Sequence, residues 1–166
     1  MPKNKLDIIL GFSIQRISRT VNMLELGLGD IVETTDIHGK LRNIERYAIH
    51  IQSPWRLLLD KAILIASSDM YEPNTKTEWS EDFNWEVYGA NLFDELCETK
   101  IKELLNHISV EEVVLDDVGG LRIVFDSGHV LETFSDTSST ETELWRFFEM
   151  SNYDSHLVAY VDRLEM

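Results

Sequence analysis

Apolar and polar residues alternate along much of this chain with the two-residue period of half-buried strands. Leu24, Leu26 and Leu28 alternate with Glu25 and Gly27, after a strand-like segment from Phe12 through Ile17. Tyr47, Ile49 and Ile51 alternate in the same way with Ala48, His50 and Gln52. Pro54 lacks the N–H that a ladder needs and biases Ser53 toward extended backbone, so the strand ends or bulges there before Trp55 to Leu59 resumes it. Ala62-Ile63-Leu64-Ile65-Ala66 is apolar throughout, which predicts a central strand covered on both faces. Residues 69–84, with Pro73, Asn74 and many polar positions, read as a long loop.

The period then changes. Asn91 is a good N-cap, and Asp94 and Glu95 fall in the first turn, where the helix dipole favours acids. Leu92, Leu96, Cys97, Ile101, Leu104, Leu105 and Ile108 trace one face, which predicts a helix over 91–107. Strand patterns return at Val113 with Leu115, at Leu121, Ile123 and Phe125, and at Val130 to Phe134 beyond a Ser127-Gly128 turn signal. After a polar loop from Asp136 to Glu143, Leu144 to Met150 and His156 to Val161 form a last pair of strands around residues 151–155. The fold class expected is α+β: mainly antiparallel sheet of seven to nine short strands, with one long helix packed on a sheet.

At 166 residues the chain fits a single domain, 1–166, whose core needs no metal or disulfide. An internal echo sets Ser13–Ile17 over Ser109–Val113 and Pro54–Leu58 over Leu144–Phe148. A true repeat would divide the chain into pseudo-repeated halves, 12–70 and 109–163, flanking the helix, and the interface between such halves is a favoured place for ligands.

Charge adds the most unusual global feature, a formal net charge of −15. Residues 1–60 sum to +1, whereas residues 61–110 sum to −6 and residues 111–143 to −8. Direct binding to a phosphate backbone, which requires a Lys/Arg footprint, is disfavoured, while a basic partner is attracted. An acidic surface also serves plain solubility. The lone Cys97 excludes an internal disulfide and a cysteine-based zinc cluster, and suits a reducing cytoplasm. The run from Met1 to Leu10 starts basic, but Asp7 interrupts an apolar stretch too short for a secretory core, and no window reaches the length of a membrane span.

Candidate chemistry is sparse. His38, His50, His107, His129 and His156 show no His-x-His and no i, i+4 pair, so neither a metal nor a cofactor is expected. No serine stands in a Gly-x-Ser-x-Gly elbow, Cys97 falls on the buried helix face, and the glycines complete no dinucleotide or phosphate-loop fingerprint. Ser67-Ser68-Asp69-Met70-Tyr71 leaves an apolar strand for a loop, where binding groups tend to sit. His50, Arg56, Asp69 and Tyr71 are therefore the candidates for a small-ligand site or a hydrolase. Trp55 and Arg56, like Trp145 and Arg146, read either as a binding pair or as a core Trp beside an ion-paired Arg. Trp79, Phe83, Trp85 and Tyr88 lie in a polar, acidic stretch, where aromatics tuck into the core or form a contact patch.

With His50-Ile51-Gln52-Ser53-Pro54-Trp55-Arg56, Asp69-Met70-Tyr71 and Leu144-Trp145-Arg146 in view, the chain resembles small bacterial proteins of unknown function that share an HxQxPWR … LWR layout. In size, acidity and single-domain organisation it is also similar to immunity proteins that neutralise bacterial toxins. That second resemblance implies a non-catalytic inhibitor whose acidic surface masks a basic toxin or nuclease. The expected contacts are Glu111, Glu112, Asp116, Asp117, Asp136, Glu141 and Glu143, with Trp79 and Trp85 as aromatic anchors. Mimicry of nucleic acid by the same carboxylates is the alternative within binding.

Overall fold

A computed structural model describes residues 5–166, and at 153 and 154 the backbone alone. Met1 to Asn4, part of the run read as non-secretory, lie outside the described residues. After a 3-10 turn at Lys5–Ile9 come five strands: β1 Ile14–Thr20, β2 Met23–Thr35, β3 Leu41–Ile51, β4 Trp55–Leu59 and β5 Ala62–Ala66. A second 3-10 turn, Ser67–Tyr71, and a long loop lead to a helical segment made of α1 Leu92–Leu96, a π turn Cys97–Ile101 and α2 Lys102–His107. Six strands complete the chain: β6 Val110–Leu115, β7 Leu121–Phe125, β8 His129–Thr133, β9 Trp145–Glu149, β10 Asn152–Ala159 and β11 Leu164–Glu165.

The expected fold class needs correction in two respects. Among the described residues eleven strands form two antiparallel sheets, ordered β1-β2-β3-β9-β10-β11 and β5-β4-β8-β7-β6, rather than seven to nine strands. The helix spans only sixteen residues and is interrupted by the π turn, so it is not one long rod. It packs against strands of both sheets: α1 contacts the Ser67–Tyr71 turn and β5, with Phe93 against Trp55 of β4, and α2 contacts β1. Asn91 caps it as its type predicts, its side-chain oxygen accepting from Asp94 N.

A third correction concerns the Ala62–Ala66 run. It is an edge strand, with Ile63 exposed, rather than a central one. An apolar run without alternation does not distinguish the two placements. Here a bulge between Leu57 and Leu58 turns Ile65 inward and leaves Ile63 outside.

The inner faces of both sheets share one core. Leu24, Leu26, Leu28, Ile49, Ile51, Trp145 and Phe147 come from the first sheet, and Trp55, Leu57, Ile123, Phe125 and Leu131 from the second. Each sheet contains a meander of three consecutive strands and is then completed by strands from elsewhere in the chain. In the first, β1-β2-β3 continues into β9-β10-β11; in the second, β6-β7-β8 continues into β4-β5. The chain passes between the sheets at Gln52 to Pro54, where Gln52 N and Ser53 N donate to Leu144 O and Pro54 O accepts from Phe134 N.

Candidate functional site

The two tryptophan–arginine pairs resolve alike. Trp55 and Trp145 are buried in the core, Trp55 edge-on to Phe93 and Trp145 donating its indole N–H to Gly119 O. The neighbouring arginines point outward on their sheets, Arg56 to Glu132 and a position over Phe134, and Arg146 to Glu143. Strand alternation dictates this, because successive side chains take opposite faces.

His50 and Arg56 consequently lie on different sheets. His50 projects from the outer face of the first sheet, opposite Glu25 on β2 and Arg146 on β9. Its ring meets the edge of Phe148 at 4.9 Å, and His156 stacks on Phe148 at 4.5 Å. Burial holds the His50 imidazole below its ordinary pKa, with Glu25 opposing and the Arg16 and Arg146 charges reinforcing the shift. Arg16 bridges Glu25 and Glu45, and Arg146 is held by Glu143, so this face carries a self-satisfied network of ion pairs. Arg56 sits on the outer face of the second sheet. Asp69 accepts from Ala66 N, which fixes the 3-10 turn, and burial raises its carboxyl pKa. Tyr71 accepts a hydrogen bond from Asn22. The geometry therefore does not gather His50, Arg56, Asp69 and Tyr71 into one site. Among the described residues no three His, Cys, Asp or Glu side chains converge as a metal site.

The acids named from sequence are dispersed in structural role. Glu111 and Glu112 are exposed on β6. Asp116 Oδ1 accepts from Val118 N and Gly120 N, so this carboxylate closes the β6–β7 turn. Asp117 is exposed beside it. Asp136 and Glu141 lie exposed in the loop between β8 and β9, while Glu143 is engaged by Arg146. Trp85 is half-buried, edge-on to Tyr71 at 4.9 Å, whereas Trp79 is 66% exposed and rests edge-on against Phe83. These aromatics follow β5, at the opposite edge of the second sheet from β6.

The most built feature of the molecule escaped the sequence reading. Arg19 and Asp94, with side chains only 5% and 2% exposed, form a bidentate pair: Nε donates to Oδ1 at 2.8 Å and an Nη to Oδ2 at 2.9 Å. Arg19 also donates to Trp85 O and Val21 O, and Asp94 accepts from Gly89 N. The hydrogen bond from Arg19 to Asp94, against the cost of burial, raises the Arg19 pKa still further. One buried pair thus ties the β1–β2 hairpin, the loop from 72 to 91 and the start of α1. A signal for it was present: the alternation that buries Ile17 against Leu26 places Arg19 beside Leu24, and an inward arginine requires a buried anion.

On this clamp the loop displays Tyr88, 72% exposed, whose hydroxyl donates to Glu98 Oε1 at 2.9 Å. Glu98 accordingly raises the Tyr88 phenol pKa. Val21, Tyr71 and Val87 are exposed at the same corner, and Val21 and Tyr88 line one hollow with Arg19 and Glu86. The loop between residues 72 and 90 carries five carboxylates, Glu72, Glu78, Glu81, Asp82 and Glu86, against Lys76 alone. No helix among the described residues is long and apolar enough to cross a membrane. Comparison of the chain with protein-family models, with curated proteins and with solved structures gives no match.

Proposed function

We propose that this chain is a non-catalytic binding protein that recognises a basic protein through the acidic, aromatic corner built on loop 72–91. An immunity-type inhibitor that covers a basic toxin or nuclease is the most concrete form of this reading. One observation carries it: exposed Trp79 and Tyr88 stand on an acidic loop whose base is clamped by a buried ion pair. Rigid aromatic anchors give binding energy at low entropic cost, and surrounding carboxylates steer a cationic partner toward them. The reading moves the principal contact from the β6 and β8–β9 acids to this corner, with those acids supplying long-range attraction. The lone buried Cys97 supports a reducing compartment such as the cytoplasm.

The test is affinity capture from extracts of the native host, using the chain and its Trp79→Ala/Tyr88→Ala variant. The expected result is a protein of net positive charge retained at about 0.1 M salt and lost as salt screens the attraction. The variant should retain roughly tenfold less of it. Equal retention by both chains overturns the proposal.

A further inference from the structure

The hollow beside Tyr88 combines features that a general acidic surface does not require. Val21 occupies the first of the two central positions in the Thr20-to-Met23 hairpin with φ 56°, a left-handed backbone that a β-branched side chain rarely adopts. This strain holds an exposed isopropyl group on one wall of the hollow, and Tyr88 forms another. The hydrogen bond to Glu98 fixes the Tyr88 ring from the far side.

Charge decides what the hollow can accept. Arg19 lines it, but its donors are directed to Asp94, Val21 O and Trp85 O, so it offers little to an incoming anion. Glu86 lines it too, exposed and without an ion pair among the described residues. An aromatic face, an apolar wall and an unpaired carboxylate together match a guanidinium on an alkyl stem.

We propose that the hollow lined by Val21, Glu86 and Tyr88 receives an arginine side chain of the basic partner, its stem against Val21, its plane over Tyr88 and its charge at Glu86. This inference rests on the proposed function and specifies its anchor. It is tested by titrating the isotopically labelled chain with N-acetyl-arginine amide, followed by amide chemical shifts, with the uncharged N-acetyl-citrulline amide as control. Saturable shifts confined to residues 19–22 and 85–89, absent with citrulline, are expected. Glu86→Gln should weaken the response about threefold, on the scale of one exposed ion pair. Val21→Gly should weaken it similarly while raising the melting temperature, a divergence that a purely structural role for Val21 does not produce. Shifts spread over carboxylates elsewhere, an equal response to citrulline, or indifference to both substitutions overturns the inference. Should one of these outcomes occur while the chain still captures a basic protein through Trp79 and Tyr88, the arginine anchor alone falls and the broader reading stands.

Discussion

Single residues set limits that the surrounding fold then satisfies. Val21 is the clearest case, because a left-handed conformation costs an ordinary residue about 1–2 kcal/mol. Glycine removes that strain but adds freedom to the unfolded chain, so Val21→Gly is expected to stabilise the protein by roughly 0.5–1 kcal/mol. Urea unfolding of the two chains checks this. Asp60, φ 54° in the β4–β5 turn, has the same backbone at a residue type that tolerates it, and Asp60→Gly should gain less.

His50 gives a pH dependence of definite sign. Its folded pKa lies below the unfolded value of about 6.5, so the unfolded state binds the proton first. Stability is full above that pH and falls as pH drops toward the folded pKa. Burial works to raise the Glu25 pKa, but the Thr20 hydrogen bond and the His50 and Arg16 charges keep it below normal. Its contribution is therefore present above the unfolded carboxylate range and lost at lower pH. His50→Gln should flatten the upper limb of a stability-versus-pH curve and shrink the acid limb without abolishing it, since Thr20 and Arg16 still hold Glu25, which melting temperatures across pH 4–8 would show.

At the scale of elements, legibility followed burial. Strands with one face in the core, such as those carrying Leu24 to Leu28, Tyr47 to Ile51 and Leu121 to Phe125, announced themselves by alternation. The outer reaches of β2 and β3 did not. From Ile31 to Glu45 they pair with each other and carry mostly exposed side chains, so no buried face imposed a period. The two-residue β11 is too short for any pattern. The helix was legible through Asn91 and its apolar stripe, but its π turn left no mark in the spacing.

The candidate corner was only half legible, because loop aromatics do not declare whether they tuck inward, and Trp85 does while Trp79 does not. Its foundation is the Arg19–Asp94 pair. Asp94→Asn leaves a buried guanidinium uncompensated and should cost about 3–5 kcal/mol. Replacing both partners, as Arg19→Met/Asp94→Leu, should cost well under the sum of the single changes, with a coupling of roughly 2 kcal/mol in a double-mutant cycle. Additive losses would mean that the two groups serve the fold separately.

For the whole molecule, charge and topology pull in different directions. A net charge of −15 was readable at once and says nothing about the fold. Topology was the least readable property, since which sheet a strand joins depends on partners distant in sequence. The Trp-Arg strands show this well. The chain reads similarly at Trp55-Arg56 and Trp145-Arg146, yet β4 joins the second sheet beside β8 and β9 joins the first beside β3. Pro54 was legible as an interruption; that the chain leaves one sheet for the other at that point was not.

This traffic of strands has a consequence for biogenesis. As the polypeptide leaves the ribosome, the β1-β2-β3 meander emerges with the flank of β3 uncovered, because its neighbour β9 is made only after β4 to β8. The β4-β5 pair likewise waits for β8. Nascent chains must therefore carry open strand edges while the intervening strands are made, and folding is committed only when β8 and β9 arrive to seal both.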